Sequence, residues 1–338
     1  MNILAIESSC DETAVAIVRD GRQVLTDCIA SQVALHREYG GVVPEIASRK
    51  HIEAIYPLAQ QALEQAGLTK AQIDAVAVTY APGLIGAVLV GVNFAKAAAM
   101  ALNRPLIPVH HIRGHIAANY LAFPQLEPPF LCLVVSGGHT MILEVKTYTQ
   151  MHILGTTLDD AAGECFDKVA RVLGMPYPGG AALDAMARDG DDRKYDLPRS
   201  KPGENPYNMS FSGLKTAALN LIHHAQQVGQ ELDVPSLCAS FSAAVSDTLV
   251  PRIVRAVEQT GCKKVAIAGG VAANSRIRAD ILRAVEQLHG TVYLPPLKLC
   301  GDNGAMIGSQ AYYEYLAGNV ADMNLNAYAT KSILGEKV

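Results

Sequence analysis

Three segments of this 338-residue chain recur, in the same order, in its second half, and this internal duplication restricts the fold more than any other feature. The first segment is strand, polar turn, strand: ILAIESSCDETAVAIV at 3–18 and LCLVVSGGHTMILEV at 131–145. The second is a strand feeding a glycine-bearing loop and a helix: AVAVTYAPGLIGAVLVGV at 75–92 and KVAIAGGVAANSRIRADIL at 264–282. The third is a short strand running into a polar helix start: RPLIPVHHIRGHIAANYL at 104–121 and GTVYLPPLKLCGDNGAMIGSQAYYEYL at 290–316. Strands that alternate with helices predict an α/β architecture. Two like-folded lobes around a central cleft are therefore expected, with the loops after the six elements facing that cleft, because ligands of open α/β sheets sit beyond the carboxyl ends of strands. The prolines of AFPQLEP (122–128) mark the boundary. A long insert rich in Asp, Gly and Pro, roughly 150–235, is expected to build a substrate wall.

Composition excludes several classes. Half the residues are apolar, enough for two sizeable cores. No apolar run reaches the ~18 uncharged residues of a membrane span; residues 84–102 contain Gly86, Gly91, Asn93 and Lys96 and read as a buried helix. Residues 1–18 lack the basic start and cleavage site of a secretory signal. The seven cysteines are scattered with no CxxC pair, as expected for reduced thiols in a cytoplasmic protein. A net charge of −4 argues against a free-standing nucleic-acid binder, so any RNA must be met through a local patch or helper proteins, and no DNA partner is expected.

His111 and His115 stand at i and i+4 and share a face if a helix starts there, a recurrent way to offer two nitrogens to a metal. The motif reads HIRGH rather than HExxH, so the glutamate of a zinc protease is missing. His110 is expected to point elsewhere. Duplication pairs this helix with the one beginning at CGDNGAMIG, and Asp302, at an N-cap-like position, is expected to approach the two histidines from the opposite lobe. Two imidazoles and a carboxylate suit one divalent ion acting as a Lewis acid, iron(II) first and zinc second. A plain helix cap is the alternative for Asp302. In VVSGGH, the glycines let backbone amides approach an anion, although a hairpin turn accounts for them equally. In IAGGVAANSR, Asn274 can read a ligand edge. Neither stretch is GxGxxG or GxxxxGK[ST]. Asp184, on the helix after YPGG, would suit ribose hydroxyls. Asp11 and Glu12, in the first hairpin turn, could steer a proton or simply serve the turn. Asp167, Lys168 and Lys215 have structural readings as strong as functional ones.

Taken together, ESSCDETA, GGVVPEIASRKH, PGLIGAVLVGV, PVHHIRGH, VVSGGHT, DDAAGECFDK, YPGG, SFSGLKT, GGVAAN and DNGAMI strongly resemble the tRNA adenosine threonylcarbamoyltransferase family, once labelled O-sialoglycoprotein endopeptidases. The resemblance spans essentially the whole chain. It implies the actin-like, sugar-kinase and heat-shock ATPase superfamily fold, with a first lobe of 1–125 plus about 303–338 and a second of 126–302. It further implies transfer of a threonylcarbamoyl group from threonylcarbamoyl-AMP to N6 of adenosine 37 in tRNAs reading codons that begin with A. His111, His115 and Asp302 would hold one iron. Val134, Val135, Ser136, Gly137, Gly138, Asp167, Gly180, Asp184 and Asn274 would hold the adenylate. A paralogous partner of the same fold and a small P-loop ATPase would assist. An ATP-dependent small-molecule kinase or ATPase on the same fold is the alternative, though it leaves the two histidines without a task.

Overall fold

The computed structural model describes residues 1–201 and 203–334. Its strands are β1 (Asn2–Glu7), β2 (Glu12–Arg19), β3 (Gln23–Ser31), β4 (Ala75–Ala81), β5 (Leu106–His110), β6 (Phe130–Val135), β7 (Thr140–Val145), β8 (Met151–Thr156), β9 (Lys264–Ala268) and β10 (Thr291–Tyr293). Its helices are α1 (Val33–Arg37), α2 (Pro44–Ala66), α3 (Ile85–Leu102), α4 (His111–Ala122), α5 (Ala162–Val172), α6 (Gly179–Ala187), α7 (Ser212–Val228), α8 (Val234–Thr260), α9 (Ser275–Gln287) and α10 (Gly304–Leu316).

The strands form two five-stranded sheets of one topology. The first runs β3-β2-β1-β4-β5 and the second, read from its other edge, β8-β7-β6-β9-β10. In each, a hairpin (β1 with β2, β6 with β7) is followed by a strand parallel to the hairpin's first member, β4 or β9. A further parallel strand, β5 or β10, completes each sheet. The duplication is thus present strand for strand. One expectation shifts: β8 is the counterpart of β3, so Met151–Thr156 of the expected insert form an edge strand of the sheet, and the insertion relative to the first repeat begins after Thr156.

The chain divides into two compact units. Unit 1 comprises residues 1–128, 146–151 and 295–338; unit 2 comprises 129–145 and 152–294. Within unit 1, strand periodicity sorts side chains onto two faces. Leu4, Ile6, Val15, Ile17, Val76 and Val78 pack with Ile55 and Leu58 of α2 and Val88 and Val92 of α3. Ile3, Ala5, Ala75, Ala77, Ile107 and Val109 face α4 and α10 through Ala118, Met306, Ile307 and Ala311. Close approach of α4 to α10 needs Gly114, where a Cβ would sit 2.7 Å from Ile307 Cδ1. Gly308 does the same toward β2, a Cβ there meeting Val18 Cγ2 at 2.6 Å.

Helix α10 therefore follows the second sheet in sequence but packs in unit 1. Asp302, just ahead of it, belongs to the same unit as His111 and His115, where sequence reasoning placed it on the opposite lobe. By length and composition α3 and α8 could each cross a membrane. Most of α8 is buried, whereas α3 buries about a third of its residues and exposes Ile85, Leu89 and Met100, so only one face of it is the buried helix expected.

Candidate functional site

Strand β5 ends at His110 and α4 begins at the next residue, so His111 occupies the helix's first position and His115 its fifth, on one face. Both are buried, and their rings meet edge to face with centroids 4.6 Å apart. Asp302 Oδ1 lies 3.2 Å from His115 Nε2 and 3.6 Å from His111 Nε2. Two features free that carboxylate. The N-cap of α10 is Asn303, whose Oδ1 accepts from Met306 N at 2.8 Å, so Asp302 is not the cap that its position suggested. Asp27 of β3, with its pKa pushed up to about 6 by burial, accepts from Gly304 N at 3.0 Å and anchors the helix start.

A carboxylate absent from the sequence reading completes this cluster. Glu7, the last residue of β1, is fully buried. Its Oε1 accepts from Ser9 N at 2.5 Å, and its Oε2 accepts from Thr79 Oγ1 at 2.6 Å. The same Oε2 lies 3.0 Å from His111 Nδ1, with Ser9 Oγ 3.1 Å from that nitrogen. With a proton held on Nδ1 by Glu7, Nε2 faces Asp302: it carries a proton toward that carboxylate while the ring is charged, and its lone pair is the one freed when the ring gives that proton up. Strand parity held the signal: Ile3, Ala5 and Glu7 alternate onto the α4 side of the sheet, as do Ala75, Ala77 and Thr79. A charged residue on that buried row needs a partner.

The carboxyl and imidazole groups of this buried cluster act strongly on one another. Burial disfavours the imidazolium of His111, but Asp302 and Glu7 outweigh it and raise the pKa to about 9. Burial likewise opposes the Asp302 carboxylate, yet His111 and His115 bring it down to about 2. Glu7 is lowered too, burial being overcome by His111. Such a cluster is built to hold positive charge. Its donors also fit a divalent transition ion. Ligands ~2.1 Å from one ion lie roughly 3.0–3.4 Å apart, close to the 3.2 and 3.6 Å seen here. The ligand atoms of all three residues fall within 4.8 Å of one another.

Asp11 and Glu12 lie at the turn before β2. Asp11 is buried, with its carbonyl accepting from Gln32 N at 2.9 Å. Glu12 accepts from Ser31 Oγ at 2.6 Å, and burial together with the Asp11 charge pushes its pKa up to about 8. The turn itself is pinned from α2: His51 Nδ1 lies 2.7 Å from Thr13 Oγ1 and His51 Nε2 2.8 Å from Cys10 O.

In unit 2 the remaining predicted residues gather at the carboxyl ends of the adjacent parallel strands β6 and β9. Val134 and Val135 are buried strand residues, Ser136 is buried, and Gly137 and Gly138 are exposed at the turn. Ser136 O accepts from Gly163 N at 3.3 Å, which seats α5 beneath the turn. Gly269, after β9, has φ +94°, a conformation that favours glycine. The carboxylates here are more occupied than expected. Asp167 Oδ1 accepts from Gly179 N at 2.8 Å and Gly180 N at 3.2 Å, capping α6. Asp184 Oδ1 accepts from Ser275 N at 3.0 Å and Ser275 Oγ at 2.8 Å. Asn274 is the N-cap of α9, its Oδ1 accepting from Ile277 N, so that oxygen is not available to read a ligand edge. Lys215 pairs with Asp160 and Lys168 with Glu164, the structural roles weighed for both.

Twin sheets of one topology, glycine loops at strand ends and a two-histidine, one-carboxylate cluster define a duplicated α/β protein of the actin-like ATPase fold class with a candidate metal centre. HypF of T. kodakarensis matches it with a TM-score of 0.62 at 16% identity, over 96% of this chain and 49% of that one. Component A of the Acidaminococcus fermentans (R)-2-hydroxyglutaryl-CoA dehydratase matches at 0.53 and 14% identity, over 94% and 99%. These likenesses speak for the fold alone. A family model described as tRNA N6-adenosine threonylcarbamoyltransferase matches residues 23–309. Relatives of that name include the Moorella thermoacetica protein, 55% identical over 326 residues, or 96% of this chain and 95% of the relative. That of Clostridium botulinum (strain 657 / Type Ba4) is 48% identical over 337 residues, or 100% and 99%. The chain belongs to the tRNA N6-adenosine threonylcarbamoyltransferase family, and is a transferase of tRNA modification.

Proposed function

We propose that this chain transfers the threonylcarbamoyl group of threonylcarbamoyl-AMP to the N6 amine of adenosine 37, in tRNAs that read codons beginning with A. Family membership supports the reaction class, and the buried His111, His115 and Asp302 cluster backed by Glu7 is the observation that carries the mechanism. In this reaction the adenine N6 attacks the carbamoyl carbon and a C–N bond forms. The bond from that carbon to the phosphate oxygen breaks, AMP departs, and the amine gives up a proton. The donor is already an activated anhydride, so the enzyme has mainly to orient two substrates and stabilise charge on the carbonyl and the leaving phosphate.

His111, His115 and Asp302 would hold one divalent metal, iron(II) first and zinc second, which when bound supplies Lewis acidity toward oxygen. Glu7 fixes the His111 ring. The backbone of Val134, Val135, Ser136, Gly137 and Gly138, with Gly180, would receive the adenylate, its phosphate against the turn amides. Asp167 and Asn274 shape that floor by capping, and Asp184 offers its second oxygen to a ribose hydroxyl. Glu12, whose pKa of about 8 lies near neutrality, would take the amine proton with Asp11 beside it. The chain's net charge of −4 supports a need for helpers in binding tRNA: a paralogous actin-like partner and a small P-loop ATPase. Seven free cysteines are in keeping with a reducing, cytoplasmic setting.

Purified chain combined with those helpers, threonine, bicarbonate, ATP and unmodified tRNA should form threonylcarbamoyladenosine. His111→Ala should abolish the product, and an unchanged yield would overturn the metal assignment. Glu12→Gln should lower kcat while leaving adenylate binding intact; a normal kcat removes Glu12 from the reaction.

A further inference from the structure

The C-terminal segment 328–334 runs back over the start of the helix that bears both histidines. Leu325 and Ala327, just before it, are buried in the unit 1 core. Tyr328 N then donates to Tyr80 O at 2.9 Å, and Ala329 O accepts from Gly83 N at 3.2 Å. The Lys331 ammonium lies 4.5 Å from the Tyr328 ring centre and 5.1 Å from that of Tyr80. Ile333 buries its side chain.

Two residues of α4's first turn read this segment. His110 Nδ1 accepts from Ile112 N at 3.3 Å and so caps the helix. That contact places the ring proton on Nε2, which donates to Lys331 O at 3.1 Å. Arg113, also buried, donates from Nε at 3.1 Å and Nη2 at 2.8 Å to Ile333 O. Its third arm pairs with Glu314 of α10 at 2.8 Å. The histidine set aside in the sequence reading and the arginine inside HIRGH thus bracket His111 in sequence, and both hold the same strap. Because the strap is gripped by its backbone carbonyls, these contacts do not depend on its side chains. Its loss would take the Ile333 carbonyl from two nitrogens of the buried Arg113 guanidinium and the Lys331 carbonyl from His110 Nε2, at a cost that loosens the turn carrying His111.

We infer that segment 328–334 is a strap that retains the metal, with His110 and Arg113 as positioning residues acting through it on His111. This rests on the metal reading above. Partners beyond the ligands themselves typically change metal affinity 10–100-fold, and the strap lies one layer further out, so about tenfold is expected. Cobalt(II) serves as the probe, with its visible absorption reporting ligand geometry and its release followed into excess chelator from the full-length protein. Ile333→Asp should expel the strap and speed release about tenfold. His110→Asn, which keeps a good cap but is too short to reach Lys331, should do the same. The double variant should release no faster than either single one, and metal-free circular dichroism spectra of the variants should stay those of the wild-type fold. Wild-type release rates in both single variants, or multiplied effects in the double variant, overturn the strap. If Ile333→Asp fails to fold, His110→Asn alone decides by the same criterion. A wild-type chain that takes up no cobalt overturns the metal reading itself, and the strap with it.

Discussion

The two units share a strand order yet spend it on opposite chemistries. In unit 1, the ends of β1, β4 and β5 present side chains: Glu7, Thr79 and His111 converge in a buried charged cluster, joined by Asp302. In unit 2, the equivalent ends of β6 and β9 present backbone. Gly137, Gly138, Gly269 and Gly270 lie there, and one oxygen each of the nearby Asp167 and Asp184 carboxylates is committed to backbone amides. One scaffold therefore carries a candidate cation site in one unit and, on the reading proposed above, an anion floor in the other, with function residing in the loops and not in the fold. The crossing of α10 makes the first possible, since it delivers a carboxylate from the second repeat into the first unit.

This contrast can be broken in four ways. The largest effect should come from Asp302→Ala. It removes a ligand while Asn303 still caps α10, so transfer should fall at least about a hundredfold, given the several kcal/mol of charge stabilisation a metal supplies. An assay within threefold of wild type would break the contrast. Next is pH. The His111 pKa is raised above its ordinary 6.5 to about 9, so its contribution to stability is full below 6.5 and is lost as pH rises through 9. Metal-free protein should lose thermal stability across that window by the order of a few kcal/mol, and metal-loaded protein should not. Denaturation scans at several pH values check both. Third, Glu7→Gln should weaken cobalt(II) binding roughly 10–100-fold without changing the ligands, read by chelator competition. Smallest is Asp167→Ala in unit 2. It uncaps Gly179 and Gly180, costs about 1 kcal/mol and should raise the adenylate KM, leaving metal content at wild-type level. A fall in metal content would show that the units' chemistries are not separate.

Much of this was legible in the chain. The three repeated segments foretell both sheets, because apolar strands and glycine turns are local signals. The HIRGH spacing foretells two facing imidazoles, since a helix puts i and i+4 together. What escaped is what only packing decides. That Asp302 is in unit 1 depends on α10 seating against α4 through Gly114 and Ile307. That Asn303 is the cap could not be separated from its neighbour by residue type, both being good N-caps. Glu7 sits 104 residues from the ring it orients, and only alternation along β1 hinted at its face. Asp167, Asp184 and Asn274 stood out as polar groups near glycine loops, but that Oδ1 of each is spent on a helix start follows from hydrogen bonds invisible in the sequence.

The most direct measurement is an anomalous-difference map, at the cobalt edge, from crystals of the full chain grown with cobalt(II). The account predicts one dominant peak bonded to Nε2 of His111, Nε2 of His115 and an Asp302 oxygen, with Glu7 on the far nitrogen of His111. A map with no ordered peak there, or a peak held by other residues, would contradict it.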